Sequence, residues 1–189
     1  MRSLPLRFTA FAATLCAALA VPTLTLAHSG TTETATEPIE LSACPIVGAS
    51  EYVDSWGDPR SGGRRHEGVD MVADRGTPMA AVVDGDAEFK RSTLGGNAVW
   101  LVAADGKRFY YAHLDAFDGI SRTVRAGDII GYVGSTGNAK GNHLHFETRL
   151  GDGALNPYPP TAEACSAATP GAPAADDGRP ALPAIWRPR

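Results

Sequence analysis

The chain has 189 residues, with 17 lysines and arginines against 21 acids and a formal charge of −4 at pH 7. This balance excludes nucleic acid as the expected partner, because gripping a phosphate backbone takes a basic face. No stretch beyond the first 27 residues approaches the ~18 consecutive apolar residues of a spanning helix.

Arg2 and Arg7, followed by FTAFAATLCAALAVPTLTLA, form the charged start, apolar middle and small-residue end of a secretory signal peptide covering residues 1–27. Cleavage is expected after Ala27, with a site after Ala20 as the alternative. Cys16 follows Thr14 and Leu15 and the apolar run continues past it, which argues against lipidation. Processing removes two arginines and no acid, leaving 15 bases against 21 acids. The protein is therefore expected to be exported to a periplasm, a cell wall or the medium, with no stable membrane insertion afterwards.

Residues 28–43 are polar, acidic and free of aromatics, and read as a short flexible lead-in. Residues 166–189, rich in Pro, Ala, Gly and Asp, read as a disordered tail that buries too little apolar surface to offset ordering. One domain remains, residues 44–165, without an internal repeat and expected to be a monomer. Only Cys44 and Cys165 survive processing, and an even count in an oxidising compartment predicts a disulfide between them.

Inside the domain, short apolar stretches are broken by Gly, Asp and Asn, a pattern of strands and turns. Ala87 and Phe89 alternate with Glu88 and Lys90 as in a half-buried strand. Residues 104–107, Ala-Asp-Gly-Lys, predict a hairpin with a type I′ turn. No amphipathic helix is evident. The expectation is a mostly β, compact antiparallel domain with little helix.

Four histidines lie in the domain: His66 in RRHEGVD, His113 in YYAHLD, and His143 and His145 in GNHLHFE. HEGVD resembles the start of a helical His-Glu-x-x-His zinc motif, but the fourth following residue is Asp70 and Gly68 disfavours a helix. In extended chain, positions i and i+4 still share a face, so His66 and Asp70 can converge while Glu67 points away. In HLHFE, a strand places His143, His145 and Glu147 on one face and Leu144 and Phe146 on the core face. Same-face neighbours are ~6.6 Å apart along a strand, which suits one ligand and one helper. In FYYAHL, Phe109, Tyr111 and His113 are expected to share a face. Two histidines and a carboxylate form the ligand set of hydrolytic zinc sites and also of non-haem iron oxygenases; the surplus histidines favour hydrolysis.

GRRHEGVDM, GTPMAAVVDG, YYAHLD, VRAGDIIGYVGSTGNAKGNHLHFE and LNPYP, over residues 52–157, make the chain similar to the lysostaphin-type, LytM-like zinc endopeptidases, a family of bacterial cell-wall hydrolases. The resemblance implies the duplicated hybrid motif fold and one zinc ion held by His66, Asp70 and His145. It implies that His113 and His143 are the catalytic pair that orients and deprotonates water and steadies the oxyanion. It further implies hydrolysis of peptide bonds in peptidoglycan stem peptides or cross-links by zinc-activated water. The alternatives are a non-catalytic peptidoglycan-binding or hydrolase-activating domain, since some relatives with this fold have lost ligands, and a secreted protease acting on ordinary proteins.

Gly62, Gly63, Gly134, Gly137 and Gly141 are expected in turns beside the site. Tyr52, Trp56 and Tyr111 are assigned to the substrate groove or to the core, and Arg60, Arg64 and Arg65 to acidic groups of the substrate or to a solvated turn. Glu147 has no assigned role beyond the choice between orienting a ligand and being solvated.

Overall fold

A computed structural model describes residues 38–167. The signal segment, most of the lead-in and the tail beyond 167 lie outside the described residues.

Ten strands follow in order: β1 (Val69–Val72), β2 (Pro78–Ala80), β3 (Gly85–Ser92), β4 (Gly96–Val102), β5 (Lys107–Leu114), β6 (Ala116–Phe117), β7 (Arg122–Val124), β8 (Ile129–Tyr132), β9 (His143–Leu150) and β10 (Gly153–Leu155), with a closing helix α1 (Tyr158–Ala167). A seven-stranded sheet has the order β1-β9-β5-β4-β3-β7, with β10 also paired to β9, and a three-stranded sheet has the order β2-β8-β6. All the named strand pairs are antiparallel. The mostly antiparallel β fold is as the sequence predicts.

Alternation decides which face of the large sheet is apolar. Val69 and Met71 of β1, Leu144 and Phe146 of β9, Phe109 and Tyr111 of β5, and Val99 and Leu101 of β4 are all fully buried. They join Met79, Ile130 and Val133 in one core. At about 25 cal/mol per Å² of apolar surface, this burial is the main source of stability. Tyr111 ends in the core with its hydroxyl accepting a hydrogen bond from the Val82 amide (3.0 Å). The opposite face of β1, β9 and β5 is left to carry polar side chains.

Four expectations need correction. His113 does not share the face of Phe109 and Tyr111. The β4–β5 register steps from Val99↔Tyr111 to Asn97↔Leu114, so β5 carries one extra residue there. His113 takes a left-handed φ of 70° at this bulge, Leu114 falls into the core, and the imidazole joins Tyr110 and Ala112 on the polar face. The hairpin at 104–107 is not type I′. Gly106 alone has positive φ (83°), and the Ala103 amide bonds to the Lys107 carbonyl, the geometry of a type I turn closed by a glycine bulge.

α1 is a helix without an apolar stripe to announce it. Asn156 caps it by accepting the Tyr158 amide (2.9 Å), Pro159 and Pro160 fit its first turn, and Cys165 pins it through a disulfide to Cys44. It extends ordered structure to Ala167, past the expected boundary at 165. The flexible lead-in likewise ends earlier than 43: Ile39 and Leu41, two residues apart, pack together against the core, and the Ser42 amide bonds to the Val82 carbonyl.

Candidate metal centre

Pairing of β1 with β9 sets Asp70 directly opposite His145, and Val72 opposite His143. Side chains opposite one another in an antiparallel pair lie ~5 Å apart at Cβ, close enough to reach a common point. His66 arrives from the preceding loop, anchored by its amide on the Asp58 carbonyl (2.9 Å). Gly68 lets that loop cross over the ring of His145, since any β-carbon there would meet His145 Cε1 at 2.6 Å.

The result is a convergence of three ligand-type atoms. His66 Nε2, Asp70 Oδ1 and His145 Nδ1 are separated by 3.1, 3.0 and 2.9 Å. The remaining polar atom of each residue is held elsewhere. His66 Nδ1 lies 2.9 Å from the Ser55 carbonyl, His145 Nε2 lies 2.9 Å from Glu147 Oε1, and Asp70 Oδ2 accepts from Arg60 (2.6 Å). Donation from those outer ring nitrogens leaves His66 Nε2 and His145 Nδ1 as lone pairs facing a carboxylate oxygen. Three acceptors aimed at one point repel unless a cation lies between them, so this donor set fits a divalent metal.

Charge in the cluster points the same way. Burial works to raise the Asp70 carboxyl, but its close contacts with His145 and His66 and the hydrogen bond from Arg60 outweigh it and hold it below the ordinary carboxylate range. Burial likewise opposes protonation of His145, yet Asp70 and Glu147 on its two sides raise its pKa above the usual value. Positive charge is favoured at that point, whether as a proton or as a metal.

His113 and His143 stand beside the cluster with ring centroids 4.7 Å apart. Both use Nδ1 on backbone carbonyls, His113 on Thr136 (2.8 Å) and His143 on Gly141 (2.9 Å), which frees each Nε2. His143 Nε2 is 3.9 Å from Asp70 Oδ1, and the His113 ring is 6.1 Å from that of His145. Burial lowers the pKa of His113 despite the Thr136 contact, so it is an unprotonated acceptor at neutral pH.

All five residues border one cleft of about 790 Å³, whose walls include Arg60, Arg64, Arg65, Leu94, Tyr110 and Lys140. Tyr52, packed edge-on against Tyr158, Trp56 and the buried Tyr111 do not border it. Tyr110, which the sequence reading passed over, does; its ring lies 6.4 Å from that of His145. Its signal was the alternation itself, since it sits between two core residues. Glu147 is neither idle nor solvated: it is buried, contacts His145, and accepts from Arg149 Nε (2.7 Å), while Arg149 also pairs with Glu67. Burial would raise its pKa, but His145 and Arg149 hold it ionised below the ordinary range.

An antiparallel β fold with a two-histidine, one-carboxylate cluster in a cleft fits a metal-dependent hydrolase domain. Residues 64–157 match the model of Peptidase family M23. The catalytic domain of the antimicrobial peptidase lysostaphin from Staphylococcus simulans superposes with a TM-score of 0.54 at 34% identity, covering 58% of this chain and 90% of that one. The chain belongs to the M23 peptidase family. It is 46% identical over 95 residues to the DD-carboxypeptidase/endopeptidase Mpg of Neisseria meningitidis, half of this chain and 22% of that protein. It is 34% identical over 132 residues to an L-Ala–D-Glu endopeptidase of Bacillus subtilis, 61% of this chain and 40% of that protein. The chain thus spans well under half the length of these relatives.

Proposed function

We propose that this protein is an exported zinc metalloendopeptidase that hydrolyses peptide bonds in the stem peptides or cross-links of peptidoglycan. The observation that carries the reading is the convergence of His66 Nε2, Asp70 Oδ1 and His145 Nδ1 to about 3 Å of one another, with His113 and His143 flanking them in one cleft. In this reading His66, Asp70 and His145 hold one zinc ion, and Arg60 and Glu147 fix the orientation of two of those ligands. Bound zinc supplies Lewis acidity, polarising an amide carbonyl and acidifying water.

The protein's own groups supply the rest. His113, kept neutral by burial, takes the proton from the attacking water at Nε2. His143 stands beside it with Nε2 free and steadies the oxygen on which charge develops. Peptidase relatives and the wall-hydrolase resemblance support the substrate class. Export rests on residues 1–27, which lie outside the described residues.

The test is to incubate the zinc-loaded protein with purified peptidoglycan and with casein and to identify new termini by mass spectrometry. Termini from peptidoglycan are expected. None from either substrate would favour a binding or activating role. His145→Ala should lose zinc and turnover together, whereas His113→Ala and His143→Ala should keep zinc and lose ~10²- to 10⁴-fold in kcat. Full turnover in either of the last two would refute the assigned roles.

A further inference from the structure

The cleft wall carries three cations that no acid among the described residues neutralises. Its acidic residues are already matched: Asp70 meets Arg60 and the histidines, while Glu67 and Glu147 both meet Arg149. Arg64 directs Nε to the Ser61 carbonyl (3.2 Å), and Arg65 directs Nη1 to the Gly57 carbonyl (3.0 Å). These contacts orient the guanidinium groups and leave their charge in place. Among the described residues, Arg64, Arg65 and Lys140 form no ion pair, and all three side chains are exposed.

Their location is specific. Arg64 and Arg65 directly precede the ligand His66, and Lys140 lies three residues before His143, so both segments leading into the site present positive charge to the cleft. The chain as a whole is acidic, so this cationic lining is not a by-product of overall charge. Guanidinium groups already oriented by carbonyls lose little entropy in gripping a carboxylate, and such charge-assisted bonds are stronger than neutral ones.

We infer that Arg64, Arg65 and Lys140 form a carboxylate-recognition site, so that the cleft selects peptides bearing free carboxylates beside the bond cut over neutral peptides such as polyglycine. This rests on the hydrolase reading above and names the substrate class of the same site.

The test uses stem-peptide dimers released from peptidoglycan, the same dimers after chemical amidation of their carboxylates, and pentaglycine with acetylated and amidated termini. Both cleavage and binding by calorimetry are measured with the zinc-loaded protein. Amidation should weaken binding and lower kcat/KM by roughly 10-fold or more, carried mainly on KM, and added salt should shrink the difference. Replacing Arg64, Arg65 and Lys140 together by Ala should bring the ratio between native and amidated dimers close to one with zinc content retained, and the R64K/R65K variant should keep part of the preference. Equal binding of native and amidated dimers, or a preference that survives the triple replacement, overturns the inference. A binding preference without cleavage of any peptide leaves the carboxylate site standing and refutes the hydrolase reading instead.

Discussion

Gly68→Ala tests whether the cluster of His66, Asp70 and His145 depends on a close crossing of two chain segments. A β-carbon at 68 would lie 2.6 Å from His145 Cε1, 2.7 Å from the Phe146 carbonyl oxygen and 2.9 Å from His145 Nε2. Ordinary contact distances are ~3.5 Å, so about 0.9 Å of displacement is required at the shortest contact. The Phe146 carbonyl belongs to β9, whose register with β1 starts at Val69↔Phe146, and the ring of His145 is fixed by Asp70 and Glu147. Neither neighbour is the free end of a flexible side chain. Overpacking of this kind costs ~1–3 kcal/mol. The lower entropy of the unfolded alanine chain returns ~0.4–1 kcal/mol, because Gly68 does not have a positive φ. A net loss of about 1–2 kcal/mol is expected in urea unfolding of the metal-free protein.

The same shift separates His66 from His145, now 3.0 Å apart at their facing nitrogens, and should weaken zinc binding ~10- to 100-fold in a chelator competition. Wild-type zinc affinity with unchanged stability would show that the crossing is looser than these distances imply.

Two further changes separate stability from metal binding. Replacing Cys44 and Cys165 together by Ser opens a closure spanning 121 residues, whose chain entropy is worth up to ~4.9 kcal/mol; neither residue borders the cleft, so the melting temperature should fall while zinc affinity stays. A parallel loss of zinc affinity would refute that independence. Glu147→Ala leaves His145 Nε2 without its acceptor and should lower zinc affinity ~10- to 100-fold, while Glu147→Gln, which keeps an acceptor oxygen, should lose much less. Equal losses in the two variants would mean that charge rather than orientation is what Glu147 supplies.

The large sheet was legible because strand alternation is a local signal. Leu144 and Phe146 inward with His143, His145 and Glu147 outward follows from the two-residue period alone. His66, Asp70 and His145 were picked out through the resemblance of their motifs and lie together in the structure, while their role as ligands belongs to the proposal. What alternation cannot reveal is an extra residue: nothing in YYAHLD marks the bulge at His113, because it arises from pairing with β4, some fifteen residues earlier in the chain. Arg149 and Glu67 were missed for a similar reason, since their pairing spans 82 residues and exists only once β9 lies beside the loop after His66. α1 escaped because helices pinned by a cap and a covalent bond need no apolar stripe.

Register explains why the site tolerates so little variation in backbone. A one-residue slip of β1 against β9 would send Asp70 to the core face and a methyl-bearing neighbour to the site, so the buried set Val69, Met71, Leu144 and Phe146 fixes Asp70 and His145 as firmly as it fixes the core. On β5 the requirement is opposite. Phe109, Tyr111 and Leu114 must all point inward, and the spacing from 111 to 114 is odd, so one residue between them has to be taken up by a bulge. The left-handed φ of 70° at His113 is unfavourable for a residue with a β-carbon, on the order of 1 kcal/mol or more. Its amide is held by the Gly95 carbonyl and its ring by Thr136, contacts that offset the strain and turn the imidazole to the face where Asp70 and His145 meet. The bulge therefore does for one residue what a slip would do for a whole strand: it moves a single side chain across the sheet while leaving the core register intact.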